Sequence, residues 1–371
     1  MPVEPASALF PKTKAPLGFG KENRMIDLRG RDVLSTHEWT KQELDQVLDL
    51  AFRLKARGDR AKTLEILKGK TLLLLFFRGS TRTRISFTAA MEHLGGMVQV
   101  PEPEGLRLSI EDKPGVGESL KDTAKVSDRY VDCVGIRLSG PIPDKNGVLR
   151  PGLGDAITKQ YADFSAKPVI NLACDMQHPT QAMADIMVMK ESVGELKGRK
   201  LVAHWAYSPI VRHYTSTQAD ALIAATYGMD VTVAYPPGYD FDPDMEALIR
   251  AEAAKTGCRF EISHDLHKAV EGADFIFPRT WVSPDFYVHS REEELKRAAR
   301  YRDWRLTEDL LKRTNQARFI HVMPFDRGNE VDDSIVDGPH SLVYDQAENL
   351  LHIRKAYLAS ILAEPSVLNS I

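Results

Sequence analysis

Six consecutive residues, Gly79-Ser80-Thr81-Arg82-Thr83-Arg84, combine a flexible backbone, hydroxyl groups and two guanidinium groups. The apolar run before them, Leu72 to Phe77, has the character of a buried parallel strand, and the amphipathic stretch after them, through Leu94, that of a helix. The six residues therefore fall on a strand-to-helix turn. A helix N-terminus presents unpaired N–H groups and positive potential, so hydroxyls and arginines placed there favour an anion, most naturally a phosphate. For a lone Ser-Thr-Arg, a capped helix with arginines facing water explains the residues equally well. The second arginine, two positions on and directly after an apolar strand, tips the reading towards an anion site.

Two further stretches carry the same kind of chemistry. Val131 to Leu138 reads as a strand with Arg137 near its end, and in open α/β sheets ligands bind beyond the carboxyl ends of strands. His178-Pro179-Thr180-Gln181 follows a strand at Pro168 to Ala173, with Pro179 suited to the first turn of a helix. A histidine at a helix start has its proton affinity lowered, and can stay neutral while donating to a carbonyl oxygen. Each has an ordinary structural alternative: a surface arginine after a strand, and a capping or packing histidine. The three cysteines, Cys133, Cys174 and Cys258, are too dispersed for a disulfide framework or a zinc cluster, and nothing near Cys174 marks it as a nucleophile.

The elements that must position these residues are legible from periodicity. Residues 1 to about 33, rich in proline, glycine and charge, read as an irregular arm suited to lie against a neighbouring subunit. Thr40 and Glu43 form a capping-box pattern ahead of a helix striped by Leu44, Val47, Leu48, Ala51, Phe52 and Leu54. Gly95-Gly96 ends the helix after the anion turn, and a short strand follows at Met97 to Val100. Pro101 to Ser119 lacks periodicity and reads as a long functional loop, and Ser119 to Ser127 opens another helix. A helix over Leu153 to Ala162 precedes the strand at Pro168.

From Gly194 strands and helices alternate again. The strands fall at Lys200–Trp205, Asp230–Ala234, Arg259–Ile262, Asp274–Phe277 and Arg318–Val322, and a long amphipathic helix at Tyr344–Leu362 closes the chain. The pattern predicts an α/β protein of two parallel-sheet domains joined by two interdomain helices. The expected first domain is 34–178 with helix 344–362 packing back on it, and the second is 179–343. No GxGxxG follows the first strand of the second half, which excludes a nucleotide-binding Rossmann reading and disfavours an oxidoreductase.

A chain of 371 residues is long for one core, which agrees with two domains. The formal net charge of -3 and the absence of an arginine-rich arm give no basis for nucleic-acid binding. No apolar run approaches the roughly 20 residues needed to span a bilayer, and the N-terminus lacks a basic region leading into an apolar one. The expectation is a cytoplasmic protein with no membrane or nucleic-acid partner.

Ser80-Thr81-Arg82-Thr83-Arg84 with Ser86-Phe87 resembles the carbamoyl phosphate motif of the aspartate and ornithine carbamoyltransferases. Glu118 to Ala124, Arg137, His178 to Gln181 and Asp345 to Asn349 resemble further motifs of that family, in the family's order. The resemblance implies that Ser80, Thr81, Arg82 and Thr83 hold the phosphate of carbamoyl phosphate. It places Arg137, His178 and Gln181 around the carbamoyl group, with Arg82, Arg137, His178 and Gln181 as the catalytic set. A neutral amine would attack the carbamoyl carbon and expel phosphate, with no metal or cofactor required. A homotrimer, or a dimer of trimers, with sites shared between subunits is also implied, and Lys113 in the 106–117 loop is placed to contribute to a neighbour's site or to face solvent.

The departures concern the second substrate. Where ornithine enzymes carry Asp-x-x-x-Ser-Met, this chain has Arg279-Thr280-Trp281-Val282-Ser283-Pro284, and the His-Cys-Leu-Pro loop reads His321-Val322-Met323-Pro324. The helix arginine after the Gln-Ala-x-Asn run is Leu350 here. Trp205-Ala206-Tyr207-Ser208-Pro209 is similar to the branch of N-acetylornithine and N-succinylornithine carbamoyltransferases, and more so to its relatives of unassigned substrate. Asn171, Trp205, Arg279, Ser283, Met323, Pro324 and Lys113 are thereby assigned to the amine, with Trp205 serving as a wall or as core. By this analogy the amine is 2,3-diaminopropionate or another diamino or ureido acid. N-acylornithine, ornithine and a catalytically silent carbamoyl phosphate-binding homologue are the alternatives. Members of that branch thread a proline-rich loop into a knot in the second domain, which Pro324 to Glu330 would form here.

Overall fold

The computed structural model describes residues 25–102, 117–140, 142, 144 and 146–371. The described residues fall into two compact units, one drawn from Pro16–Met183 with Leu350–Ile371, the other from Ala184–Asn349. Among them no helix is long and apolar enough to cross a membrane. Lys113 and most of the loop around it lie outside the described residues.

In the first unit, α1 (Lys41–Ala56) starts at the capping box of Thr40 and Glu43 and buries Leu44, Val47, Leu48, Ala51 and Leu54. It is followed by β1 (Thr71–Phe76), α2 (Thr81–His93), β2 (Met97–Gln99), α3 (Leu120–Ser127), β3 (Cys133–Arg137), α4 (Leu153–Phe164) and β4 (Val169–Ala173). The strands form a parallel sheet in the order β2-β1-β3-β4. All six residues of β1 are buried, as expected of a strand covered on both faces. At Gly154 a Cβ would lie 2.3 Å from Leu138 O and 2.8 Å from Asp175 Oδ1, so only glycine lets α4 approach the loop after β3 this closely.

Residues 25–33 differ from the expected subunit-bridging arm. Gly30 N donates to Ile361 O at 3.0 Å, Val33 N donates to Val169 O at 2.8 Å, and Asn171 N donates to Val33 O at 2.9 Å. Val33 thus pairs in parallel with Ile170 and covers the open edge of this unit's own sheet.

Helix α5 (Pro179–Val193) crosses the division between the units and leads to β5 (Lys200–Trp205), α6 (Thr215–Thr226), β6 (Asp230–Ala234), α7 (Pro243–Thr256) and β7 (Phe260–Ser263). Then come α8 (Leu266–Ala269), β8 (Phe275–Arg279), α9 (Arg291–Ala298), α10 (Glu308–Leu311), β9 (Arg318–Phe319) and α11 (Asp333–Val336). Helix α12 (Val343–Leu362) crosses the division again, and α13 (Pro365–Leu368) ends the chain. The second sheet is also parallel, in the order β7-β6-β5-β8-β9. Strand β9 is shorter than its apolar run predicts, because the backbone N–H of His321 is taken by the Gln346 side chain at 2.8 Å rather than by a neighbouring strand.

Candidate active site

Both sheets reverse direction of growth once, and the candidate residues gather at those two switch points, where the carboxyl ends of adjacent strands diverge. In the first unit the switch lies between β1 and β3, whose last ladder position pairs Phe76 with Arg137. Ser80 is the N-cap of α2 in an extended conformation, yet its side chain makes no capping bond, which leaves the hydroxyl for a ligand. Arg137 Nη1 lies 3.5 Å from Thr83 Oγ1 and 3.3 Å from Leu172 O, which ties the end of β3 to the first turn of α2. Burial, reinforced by neighbouring Arg82, pushes the Arg137 guanidinium down to about 10.

The two arginines of the turn have different surroundings. Arg84 is paired with Glu102 at 3.0 Å and lies over the Phe76 ring. Arg82 has an exposed surface but enough protein around it for desolvation to lower its pKa. Among the described residues Arg82 makes no side-chain hydrogen bond or ion pair with the protein. Among the described residues this corner therefore holds two guanidiniums, Arg82 and Arg137, with no carboxylate paired to either.

His178 and Gln181 are buried at the start of α5, which begins just past β4; β4 pairs with β3 at Arg137 through Ala173. The loop between them is held by a buried acid pair. Asp155 Oδ2 accepts from Met176 N at 2.7 Å, and Asp175 Oδ1 lies 3.3 Å from Asp155 N. Burial and the neighbouring Asp175 push the Asp155 carboxyl well up. Cys174 is buried against Thr158 Oγ1 at 3.1 Å, and burial raises its thiol pKa, so it packs and does not react. Asn171 directs its amide N–H groups to Leu34 O at 3.1 Å and Asp155 Oδ1 at 3.3 Å, which is framework work.

The second switch point lies between β5 and β8, whose last ladder position pairs Trp205 with Arg279. Trp205 is fully buried, donates Nε1–H to Trp281 O at 2.8 Å and packs 4.7 Å from the Tyr239 ring. Ser283 is also fully buried, with its N–H and Oγ–H both given to Glu294, at 2.9 and 2.6 Å. Arg279 is partly exposed, with Nη1 3.4 Å from Pro324 O. The loop after β9 carries Met323, at φ 50, and a cis Met323-Pro324 bond. Met323 N donates to His321 Nδ1 at 2.9 Å, which puts the imidazole proton on Nε2.

One buried carboxylate organises this region. Glu330 accepts from Thr280 N at 2.8 Å, Asp326 N at 2.6 Å and Arg212 Nη1 at 2.8 Å, and lies 3.8 Å from His321 Nε2. Burial raises its pKa, but His321, Arg212 and Arg279 outweigh that and bring it to about 2. Burial pushes His321 itself down to about 4, so at neutral pH the imidazole is uncharged and the two arginines balance Glu330. Asp220 is wholly buried beside Asp185, which accepts from Gln346 Nε2 at 2.5 Å, and Arg279 lies in the field of both Glu330 and Asp220.

Residues 31–191 match the family model for the carbamoyl phosphate-binding domain of aspartate/ornithine carbamoyltransferase, and residues 213–361 that for its Asp/Orn-binding domain. The chain belongs to the aspartate/ornithine carbamoyltransferase family. The ornithine carbamoyltransferase of Pyrococcus abyssi (strain GE5 / Orsay) is 36% identical to it over 340 residues, covering 91% of this chain and 98% of the relative. The ornithine carbamoyltransferase of Symbiobacterium thermophilum is 36% identical, covering 91% and 100%. Acetylornithine transcarbamylase complexed with acetylcitrulline superposes with a TM-score of 0.83 at 30% identity, covering 90% of this chain and 100% of that one. For the ornithine carbamoyltransferase from Pyrococcus furiosus the values are 0.77, 34%, 91% and 99%. The protein is a carbamoyltransferase, with one domain for carbamoyl phosphate and one for an amino acid.

Of the residues expected at this carbamoyltransferase's site, Ser80, Thr81, Arg82, Thr83 and Arg137 converge on the first switch point, and His178 and Gln181 stand at the same edge of the sheet. Arg279 marks the second switch point, with Pro324 against it. Trp205, Ser283 and Asn171 sit in the framework, and Lys113 lies outside the described residues. Glu330, Arg212 and Asp220 were not anticipated. Asp220 has a visible signal, an acid inside the small and apolar run Ala219 to Ala225; Glu330, in a polar loop, has none.

Proposed function

We propose that this carbamoyltransferase moves the carbamoyl group of carbamoyl phosphate to the primary amine of a small amino acid or derivative, releasing phosphate. The reading is carried by the first switch point, where Arg82 and Arg137 stand beside the uncapped Ser80 hydroxyl and, among the described residues, neither is paired with a carboxylate. Ser80, Thr81, Arg82 and Thr83 take the phosphate oxygens, while Arg137, His178 and Gln181 surround the carbamoyl group. The neutral amine attacks the carbamoyl carbon, the tetrahedral oxyanion is stabilised by Arg137 and His178, and the C–O bond to phosphate breaks with the electron pair leaving on phosphate. Positioning and preorganised charge supply the rate, and the departing phosphate takes the amine proton.

In the same proposal, residues 34–178 with helix 344–362 handle carbamoyl phosphate and residues 179–343 select the amine. Arg279, Met323 and Pro324 meet the amine substrate, and Trp205, Ser283 and Asn171 hold the shape around it. A cationic side chain at Arg279 favours a substrate that presents a carboxylate there, such as 2,3-diaminopropionate or another diamino or ureido acid. N-acylornithine is the second reading, favoured by the TM-score of 0.83 with acetylornithine transcarbamylase. The enzyme works in the cytoplasm as a homotrimer or dimer of trimers, with sites shared between subunits.

The test is a screen of ornithine, its N-acylated forms, 2,3-diaminopropionate, putrescine and aspartate with carbamoyl phosphate, with ureido products detected by mass spectrometry. Carbamoylation of one of these amino acids is expected. Carbamoyl phosphate binding without carbamoylation of any amine would overturn the proposal.

A further inference from the structure

Arg354, on α12, is among the largest fully buried side chains of the molecule, at 0% exposure. Buried arginines are normally matched by a carboxylate, because an uncompensated charge in the interior is costly. Among the described residues Arg354 has no such partner. Its Nη1 donates to the hydroxyl of Ser86, its guanidinium carbon stands 4.6 Å from the centroid of the Phe87 ring, and its Nε is unsatisfied. A packing role alone does not account for this, since an apolar side chain of similar volume would fill the space without the charge.

Its neighbours belong to the anion corner. Ser86 donates in turn to Arg82 O and lies 3.4 Å from Thr83 O, so the buried guanidinium is one hydroxyl away from the first turn of α2. Arg137 reaches the same turn through Thr83. Burial, together with repulsion from Arg137 and Arg82, brings the Arg354 pKa down to about 9, which reports the mutual proximity of the three cations. Without a ligand the corner is electrostatically frustrated, and a dianion is the ligand that relieves it.

We infer that Arg354 is the third guanidinium of this corner, a buried charge that raises the corner's affinity for a phosphate dianion from behind α2 while Arg82 and Arg137 face the ligand. The inference rests on the reading of the corner as the phosphate site. Arg354 acts through its field and through Ser86, so it is a positioning residue.

The experiment compares wild type, Arg354→Gln, Arg354→Lys and Arg82→Ala for binding of inorganic phosphate by calorimetry, thermal midpoint with and without phosphate, and KM and kcat for carbamoyl phosphate. Arg354→Gln should weaken phosphate binding and raise the KM for carbamoyl phosphate on the order of tenfold, with a smaller change in kcat. Its ligand-free midpoint should stay level or rise, because a frustrated charge has gone. Arg354→Lys keeps the charge and should retain most of the affinity. Phosphate affinity in Arg354→Gln within about twofold of wild type, or a ligand-free protein that is destabilised or fails to fold, would overturn the inference. If Arg82→Ala loses phosphate while Arg354→Gln keeps it, only the role of Arg354 fails. If wild type does not bind phosphate, the reading of the corner fails with it.

Discussion

Arg137 and Arg279 occupy equivalent places in two sheets of the same construction. Each is the last ladder residue of a central strand, opposite Phe76 in one case and Trp205 in the other, at the point where the sheet switches direction. Their surroundings are opposite. Around Arg137 the nearby charges are Arg82 and Arg354, and among the described residues no carboxylate is paired with any of the three. Around Arg279 a buried carboxylate is engaged within the protein: Glu330 holds Arg212 and two main-chain N–H groups, and the Asp220 carboxyl, pushed well up by burial and Asp185, lies nearby. The same topology thus builds one point where, among the described residues, arginines gather without a carboxylate and one where a buried carboxylate meets two arginines. The first suits a fixed, highly charged co-substrate; the second suits a shaped recognition surface with one partly exposed cation.

Perturbing the two points should separate them. Arg82→Ala removes the free cation of the first and should lower kcat/KM about a hundredfold to a thousandfold, with little change in thermal midpoint. Turnover near wild type would break the comparison at its stronger end. Glu330→Gln should act on stability instead, because Arg212, with its side chain only 9% exposed, loses its counter-charge. A loss of roughly 3 kcal/mol is expected, followed by fluorescence in urea, since Trp205, Trp281 and Trp304 all lie in the second unit. A loss below about 1 kcal/mol would show that Glu330 does not anchor the region.

The second unit should also be the acid-sensitive one. His204 and His321 are both wholly buried, and burial brings each down to about 4 from 6.5. The unfolded chain therefore binds protons that the folded one refuses between these values, so stability falls as pH drops from about 6.5 towards 4. The loss is roughly 2 kcal/mol for each histidine at pH 5. Glu330 adds to it lower down, its contribution present above about 4.5 and lost as pH falls through about 2. A flat urea midpoint between pH 7 and pH 5 would contradict this. The smallest effect belongs to Trp205→Phe, which leaves Trp281 O without its donor and should cost about 1–2 kcal/mol, read from the same urea transition. No loss at all would put Trp205 outside the framework.

The contrast between the two points was only half visible in the sequence. Ser80 to Arg84, Arg137 and His178 to Gln181 follow apolar strands directly, and strand-to-helix turns are local, so their placement is readable. The capping box at Thr40 and Glu43 and the apolar periods located most helices within a few residues. Helix α9 escaped because REEELKRA has no apolar stripe, although Ser290 and Glu293 form a capping box that marks its start. Arg354 and Glu330 escaped for a different reason. Both look like surface ions, and only tertiary packing reveals that one is buried without a counter-charge and the other amid two arginines. Trp205 and Ser283 show a further gap: the sequence does not reveal that both are fully buried, one bonded to Trp281 O and the other to Glu294.

The most direct test is a kinetic one with the amine identified by the screen. Arg137→Gln and Arg279→Gln are made at the two equivalent positions, and KM is measured for each substrate. The account predicts that Arg279→Gln raises KM for the amine by about tenfold or more while KM for carbamoyl phosphate stays within about twofold, and that Arg137→Gln lowers turnover and weakens carbamoyl phosphate. An Arg279→Gln enzyme whose carbamoyl phosphate KM rises as much as its amine KM would contradict the division of labour between the two switch points.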